Sequence, residues 1–249
     1  MSGPGAFLAL WNSLSAPALQ AEYEHWHTFE HVPERVGLPG FIEARRYRSL
    51  QPNTTHGTPD YFTCYWVDDL GAFSTDDYTG IFAKPTPWTA RMRVELRDFF
   101  RLTCAVSGRF GQGSASQLAT LHFKGDASSF REAIDAQLTR LVDRGDLVCA
   151  QWGSAALTAA IPIANQLTSH ATGDDFVVML QSLEADSLQR HADELVAAIA
   201  LVVTLASPPK FFEGLTQIRQ DELSPPYRVG QRQPQRTDLF QRFFSGDTP

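Results

Sequence analysis

The sequence predicts an α+β fold in which two tandem ferredoxin-like β-α-β-β-α-β units pack sheet to sheet as an α/β barrel. Short apolar or aromatic segments alternate with longer amphipathic segments, and the same order of elements occurs in both halves. A Gly- and Ser-rich stretch at Gly108–Ser116 separates the halves. Two open four-stranded sheets, each covered by helices on one face, can bury their other faces by packing together.

The first unit, predicted at residues 1–110, begins with a strand and a helix. Ala6–Trp11 is apolar, and Ser15 with Pro17 is typical of a helix start. We expect this helix to run from Pro17 to His31, because proline at position 33 cannot donate the backbone hydrogen bond that a longer helix needs. The remaining predicted elements are strands at Phe41–Leu50 and Tyr61–Val67, a helix at Leu70–Phe82, an extended link at Lys84–Pro87 and a strand at Met92–Val106.

The second unit, predicted at residues 115–221, repeats this order with little residue identity. Its predicted elements are strands at Leu118–Phe123, Leu147–Leu157, Phe176–Leu183 and Phe211–Ile218, helices at Ser128–Val142 and Leu188–Leu205, and a loop or short helix at Ile161–Gly173. Residues 222–249 form a polar tail. Two interpretations of the tail stay open: a solvated arm, or an arm that packs on its own chain or on a partner through Phe240, Phe243 and Phe244.

Composition excludes several classes of partner. The 249 residues are 43% hydrophobic and carry a formal charge of −7, which argues against nucleic acid because such binders need a cationic surface. The longest apolar run, Leu195–Ala206, is too short to span a bilayer, so no membrane is expected. Three cysteines without a CxxC pair and an N-terminus without an export pattern fit a cytoplasmic protein.

The segment Tyr23–Arg35 concentrates chemically active side chains. Helical spacing places Tyr23, His27 and Glu30 on one stripe, which His31 and Trp26 adjoin. Histidine titrates near neutrality, so His27 or His31 is predicted as a catalytic general acid/base, with Glu30 orienting the imidazole. The predicted substrate-binding residues are Tyr23, Trp26, Arg46, Tyr61 and Tyr65, the last three from a sheet beneath the helix.

Two other interpretations of this segment remain open. His27-x-x-Glu30-His31 matches the inverted zinc-peptidase pattern, so a divalent metal could be bound by these three residues together with a further ligand. In a purely structural interpretation, Glu30 and Glu34 pair with nearby arginines and the aromatic residues are core. Elsewhere, His122 alternates with apolar residues and is predicted to be a hydrogen-bonded sheet histidine.

The same segment resembles a known group of proteins, the dimeric α/β-barrel superfamily and in particular its EthD-like members. The matching residues are Trp26-His27-x-x-Glu30-His31-x-Pro33-Glu34-Arg35, Pro39-Gly40-Phe41 and Arg45-Arg46-Tyr47. The resemblance implies a barrel of two ferredoxin-like units, which a tandem duplicated chain could close without a second subunit. It also implies a ligand site at the wall formed by His27, Glu30 and His31, in the first half alone. Haem is not expected, because the second half has no convincing axial histidine among His122, His170 and His191.

The leading hypothesis is a small-molecule enzyme without an organic cofactor. It would act on a phenolic or carbonyl compound as an isomerase, dehydratase, cyclase or cofactor-independent monooxygenase, a range that makes it a lyase, isomerase or monooxygenase. The alternatives are a metal-dependent enzyme that uses His27 and His31 as ligands, and a non-catalytic ligand-binding or accessory barrel. A homodimer is possible.

Overall fold

The computed structural model describes residues 3–156, 174–224, 227 and 229–245, and its strands form one closed antiparallel barrel. The predicted loop or short helix at Ile161–Gly173 lies outside the described residues. The strands are β1 Ala6–Leu14, β2 Phe41–Pro52, β3 Pro59–Val67, β4 Leu96–Gly111, β5 Gln117–Gly125, β6 Cys149–Ala155, β7 Asp175–Ser182 and β8 Val203–Arg219.

The strand order around the barrel is β1-β3-β2-β8-β5-β7-β6-β4. Each half contributes one sheet with equivalent order, β4-β1-β3-β2 and β8-β5-β7-β6, and the pairs β2–β8 and β4–β6 join the sheets edge to edge. The predicted α+β barrel is therefore confirmed. All eight strands belong to one chain, so closure requires no second copy. The division into units at 1–110 and 115–221 stays a prediction.

Helices cover the outer faces of both sheets. In the first half they are a 3-10 turn Pro17–Leu19, α1 Gln20–Trp26, a π-helical turn His27–His31, α2 Val32–Val36, a 3-10 turn Leu70–Ser74, α3 Asp76–Ala83 and α4 Pro87–Arg93. The second half has α5 Ala127–Asp143 and α6 Ala185–Ile199, followed after β8 by a 3-10 turn Gln220–Glu222 and α7 Thr237–Ser245. None of the helices in the described ranges is both long and apolar enough to cross a bilayer.

Alternation along the strands separates an interior core from the outer layers. The barrel interior is filled by a cluster that includes Phe7, Phe62, Trp66, Leu102 and Phe212. Neighbouring strand residues such as Tyr61, Tyr65 and Leu121 point outward to the helices. On β2, a bulge between Phe41 and Glu43 shifts this alternation, so that Arg45 contacts the interior Trp66 whereas Arg46 faces the helices.

Three predicted element boundaries that lie near prolines differ from the structure. The first helix does not end before Pro33, which occupies the first turn of α2, where its missing N–H is tolerated. The predicted extended link at Lys84–Pro87 instead ends in a helix start: the Thr86 side chain accepts from the Thr89 N–H and Pro87 opens α4. The second-half helix ends at Ile199, not at Leu205, because the chain enters β8 and continues through Pro208 and Pro209.

Candidate functional site

The π-helical turn determines which side chains face the first-half sheet. The Val32 N–H donates to the His27 carbonyl, five residues earlier, so this turn is wider than an α-helical turn. As a result, Tyr23, His27 and His31 form a column of rings. The ring centroids of Tyr23 and His27 are 5.1 Å apart and those of His27 and His31 are 4.9 Å apart, and Trp26 lies 4.2 Å from His31.

Four polar groups in this layer are buried without a hydrogen-bond partner. They are the Nδ1 atoms of His27 and His31, the Tyr65 hydroxyl and the Arg46 Nη2. His27 is 3% exposed and His31 is 9% exposed, and Arg46 and Tyr65 are buried as completely. Buried polar side chains are nearly always paired, so a cluster of unpaired ones is unusual in a purely structural layer.

Arg46 and Tyr61 connect the sheet to α1. Arg46 donates to the Thr28 hydroxyl and, over 3.4 Å, to the Glu24 carbonyl, and its guanidinium lies 5.7 Å from the Tyr23 ring centroid. The Tyr61 hydroxyl donates to Glu24 Oε1 at 3.0 Å, and this carboxylate also pairs with Arg48 at 2.8 Å. The predicted substrate-binding side chains Tyr23, Trp26, Arg46, Tyr61 and Tyr65 therefore all lie in the helix–sheet layer.

Burial and positive charge keep both imidazoles neutral. Burial lowers the pKa of His27 well below its usual value, and Arg46 and Arg35 lower it further. Burial also lowers the pKa of His31, with added effects of Arg35, His27, Arg93 and Arg46. A neutral imidazole has one N–H donor and one lone pair, so each ring can accept a proton. Burial raises the pKa of Tyr65 as well, which keeps its hydroxyl protonated.

Glu30 and Glu34 face away from the imidazole column. Glu30 accepts a hydrogen bond from the Thr86 hydroxyl at 2.5 Å and from the Arg236 backbone N–H at 2.7 Å. Glu34 pairs with Arg35 at 3.2 Å and with Arg232 at 2.9 Å. The wider turn explains why these carboxylates leave the predicted stripe. Glu30 contacts neither Nδ1 atom, and its predicted catalytic role stays a prediction.

The C-terminal arm covers this helix, so the described part of the tail packs on its own chain. Because Pro33 has no N–H, it cannot donate to the Phe29 carbonyl four residues earlier, and the Tyr227 hydroxyl donates there instead. Gln233 is buried against Gly37, where a Cβ would lie 2.0 Å from its Nε2. Helix α7 then places Phe240 and Phe243 against Trp88, with ring centroids 5.7 and 5.9 Å away.

The structure brings together His27 and His31 but not a larger set of metal ligands. Within residues 3–156, 174–224, 227 and 229–245, no three or more His, Cys, Asp or Glu side chains converge as a potential metal site. The predicted metal ligands His27, Glu30 and His31 do not converge, because Glu30 accepts hydrogen bonds from Thr86 and from the C-terminal arm instead.

Several contributors to the site were missed from the sequence. Thr86 could have been recognised from Thr-Pro, which is typical of a helix N-terminus, and its hydroxyl reaches Glu30. Asn12, which accepts from the Tyr23 hydroxyl at 3.0 Å, follows the apolar residues of β1 and carries no local signal. Arg232 and Arg236 lie in a polar tail whose contacts depend on the tertiary fold, so no local pattern indicates them.

The same fold occurs in several solved structures. A candidate monooxygenase from Fusobacterium nucleatum matches with a TM-score of 0.55 and 10% identity, over 88% of this chain and 96% of its own. An anthrone oxidase-like protein gives a TM-score of 0.55 at 10% identity, again over 88% and 96%. A chlorite dismutase variant from Candidatus Nitrospira defluvii gives a TM-score of 0.50 at 12% identity, over 86% and 93%. No protein-family model and no curated protein matches the sequence.

These neighbours correct the prediction that no cofactor is involved. The chlorite dismutases among these neighbours are haem-binding proteins, so a barrel of this fold can hold a cofactor, and the prediction was wrong to exclude one from the positions of three histidines. Of those three histidines, His170 lies outside the described residues.

The described residues of the two helix–sheet layers leave no space for a haem. In the first-half layer, the His27 ring lies 5.1 Å from Tyr23 and 5.3 Å from Trp26, so aromatic rings occupy the space beside it. In the second-half layer, Phe130 stacks on Phe176 with ring centroids 4.3 Å apart, and apolar side chains fill the space between sheet and helices. What this chain shares with its structural neighbours is the fold, that of the ferredoxin-like α+β barrels.

Proposed function

We propose that the chain is an enzyme that acts on a small phenolic or carbonyl compound, with His27 and His31 as its acid/base groups. The observation that carries the proposal is the pair of buried, neutral imidazoles whose Nδ1 atoms have no hydrogen-bond partner. Unpaired buried polar groups cost stability, so a protein retains them where they serve a ligand or a reaction. The resemblance to EthD-like proteins and the monooxygenase-type structural neighbours support the same class of function.

The surrounding groups suit proton transfer next to an oxygen atom. A neutral imidazole can accept a proton from a phenolic hydroxyl or from a carbon beside a carbonyl group. Arg46 Nη2 and the protonated Tyr65 hydroxyl are unpaired donors that can bind the negative oxygen formed in this step. Such a step begins isomerisation, dehydration and cyclisation, and it also activates phenols for oxygenation. Glu30, by its contacts, is best suited to fasten the C-terminal arm over the helix.

An accessory, non-catalytic barrel predicts different hydrogen bonds and ion pairs for the His/Glu cluster. Its His/Glu cluster should be fully paired with arginines. The glutamates do follow this pattern, since Glu34 pairs with Arg35 and Arg232. The histidines do not follow it, because neither Nδ1 atom of His27 and His31 has a partner. The contacts therefore favour the enzyme over the accessory barrel.

The test is a substrate screen followed by matched histidine variants. Phenols, lactones and β-keto compounds are incubated with the full chain, and dioxygen uptake and products are measured. For any compound converted, His27→Ala and His31→Ala should each reduce kcat/KM by about 10²–10⁴-fold, the usual contribution of a general acid or base. His25→Ala is the matched control, because His25 lies on the same helix but its Nδ1 bonds to the Ala21 carbonyl. Unchanged turnover in both site variants would exclude the proposed roles.

A further inference from the structure

A second cluster of polar and aromatic side chains lies at one end of the barrel interior. It surrounds a cavity of about 330 Å³ bounded by strands β1, β4, β5 and β8. Trp11 and Phe100 form aromatic walls, and Thr120, His122 and Lys210 supply polar groups. The other lining residues are Asp98, Ala206, Ser207 and Pro208. This volume is suited to a small ligand.

The pairing of β5 with β8 is irregular beside this cavity. Thr120 pairs with Lys210, but His122 pairs with Ser207, so that two residues of β8, at positions 208 and 209, bulge out opposite one residue of β5. Both are prolines, which cannot donate to the neighbouring strand. Bulges of this kind redirect side chains and occur next to active sites. Here the bulge leaves His122 at the cavity surface.

Backbone strain marks the opposite wall of the cavity. Asp98 has φ +49°, and among the described residues it alone combines a positive φ with a side chain. The pairing of β1 with β4 also shifts nearby, between Trp11 and Ser13. The Ser13 hydroxyl donates to Asp98 Oδ2 at 2.5 Å and fixes its carboxylate. Strained residues held in place by their neighbours cluster at ligand sites.

His122 is held by a buried carboxylate in the manner of a general base. Its Nε2 lies 2.7 Å from Oδ1 of Asp175, which is buried and also pairs with Lys124 at 3.3 Å. The carboxylate accepts a hydrogen bond from Nε2–H, which leaves the lone pair on Nδ1. His122 Nδ1 has no hydrogen-bond partner among the described residues. Burial lowers the pKa of His122 and the bond to Asp175 opposes this effect.

While His122 is neutral, the charges around the cavity favour the entry of a neutral ligand over that of an anion; an anion formed after entry is paired with the imidazolium. The Lys210 ammonium is 2.9 Å from Asp60 Oδ2, which compensates its charge, whereas Asp98 adds a negative charge to the wall. The rings of Trp11 and Phe100 have centroids 5.4 Å apart and offer apolar surface to a planar molecule. A neutral aromatic ring with an acidic hydroxyl group satisfies both conditions.

We propose that this cavity is a second small-molecule site, which binds a neutral phenol and transfers its hydroxyl proton to His122. The phenolic O–H bond breaks, an N–H bond forms at Nδ1, and the electron pair stays on the phenolate oxygen. Asp175 stabilises the resulting imidazolium, as the orienting carboxylate does in other catalytic pairs. The site is separate from the His27/His31 layer, and its test does not depend on the function proposed there.

The test uses 4-nitrophenol, whose phenolate absorbs visible light and whose neutral form does not. The probe is titrated into the full chain slightly below the pKa of the free probe. Wild type should give a saturable increase in phenolate absorption. His122→Gln should abolish this increase and weaken binding by about tenfold, the loss expected for a charge-assisted hydrogen bond. Asp175→Asn should retain binding but lose most of the phenolate signal, because its amide cannot stabilise the imidazolium.

Two further variants complete the test. His191→Gln removes an imidazole that also lies near carboxylates, 3.8 Å from Asp146 and 3.6 Å from Glu194, but lines none of the cavity, so it should bind like wild type. Phe100→Leu trims the aromatic wall without touching the dyad and should weaken binding severalfold. Circular dichroism confirms that each variant is folded. No saturable signal in wild type, or an unchanged signal in His122→Gln or Phe100→Leu, would overturn the proposal.

Discussion

The two layers between sheet and helices occupy equivalent positions in the barrel but have opposite chemistry. In the second half, α5 and α6 pack on the sheet through apolar side chains such as Phe130, Leu138 and Leu195. In the first half, the equivalent layer contains two histidines, Arg46 and several tyrosines, with unpaired polar atoms among them. Two sheets of equivalent strand order therefore do not imply two equivalent layers.

The difference shows how one chain can separate stability from chemistry. In an apolar layer, the burial of each side chain stabilises the folded state. In a polar layer, each buried group without a partner destabilises it by its desolvation free energy. The second layer therefore offsets the cost of the first. The following changes test that separation, from the largest expected effect to the smallest.

Phe130→Ala should destabilise the protein by about 3–5 kcal/mol, because it removes a fully buried ring and leaves a cavity. Phe130 stacks on Phe176 and contacts Trp152 edge to face, so the layer has little freedom to collapse into the space. Urea unfolding followed by fluorescence measures the change in the free energy of unfolding. A loss under about 1 kcal/mol would contradict the view that this layer supplies stability.

Stability should fall as the pH decreases below about 6.5, where histidines of the unfolded chain become protonated while His27 and His31 resist protonation. Since the unfolded state then binds more protons, the free energy of unfolding should fall by about 1.4 kcal/mol per pH unit for each histidine. The loss stops once the pH passes below the pKa of the folded imidazoles. Denaturant titrations of wild type and of a His27→Leu/His31→Leu variant give the difference in slope, and equal slopes would contradict the buried, neutral state.

Tyr227→Phe should cost about 1 kcal/mol, the value of one hydrogen bond, because the hydroxyl donates to the Phe29 carbonyl, to which Pro33 has no N–H to donate. The effect should be local to the arm. Hydrogen exchange of the α7 amides should become faster, while that of α5 stays unchanged as the internal control. Equal protection of α7 in both proteins would show that this contact does not hold the arm.

His27→Leu should leave the free energy of unfolding within about 1 kcal/mol of wild type or raise it, because leucine removes an unpaired buried nitrogen and keeps the volume filled. Thermal unfolding at neutral pH measures this change. His191→Leu, in the second half, also removes a buried Nδ1 without a hydrogen-bond partner, but it takes an imidazole away from the carboxylates of Asp146 and Glu194, 3.8 and 3.6 Å away, and so should cost more than His27→Leu. A large loss from His27→Leu would mean that the imidazole is a structural element.

The order of elements along the chain and the α+β barrel class could be predicted from the sequence, because apolar alternation and turn residues are local signals. The direction of Glu30 could not, since it depends on a π-helical turn that no residue pattern around His27–His31 specifies. Proline usually ends a strand, but β8 continues through Pro208 and Pro209. It can do so because both prolines lie in the bulge against β5, where no backbone N–H has to donate to the neighbouring strand. His122 is the hydrogen-bonded sheet histidine that the alternation predicted, but its partner could not be named, because Asp175 lies 53 residues away in the sequence.

The pairing of β2 with β8 has a consequence for synthesis on the ribosome. Glu43 of β2 pairs with Arg219 of β8, and Glu30 bonds to Arg236, 206 residues later. The His27/His31 helix is therefore made early but receives its cover only after almost the whole chain has emerged. Until then, β2 is an unpaired sheet edge, which is a site for aggregation and for chaperone binding. Nascent chains truncated before β8 should bind chaperones, whereas release of the full chain should end that binding.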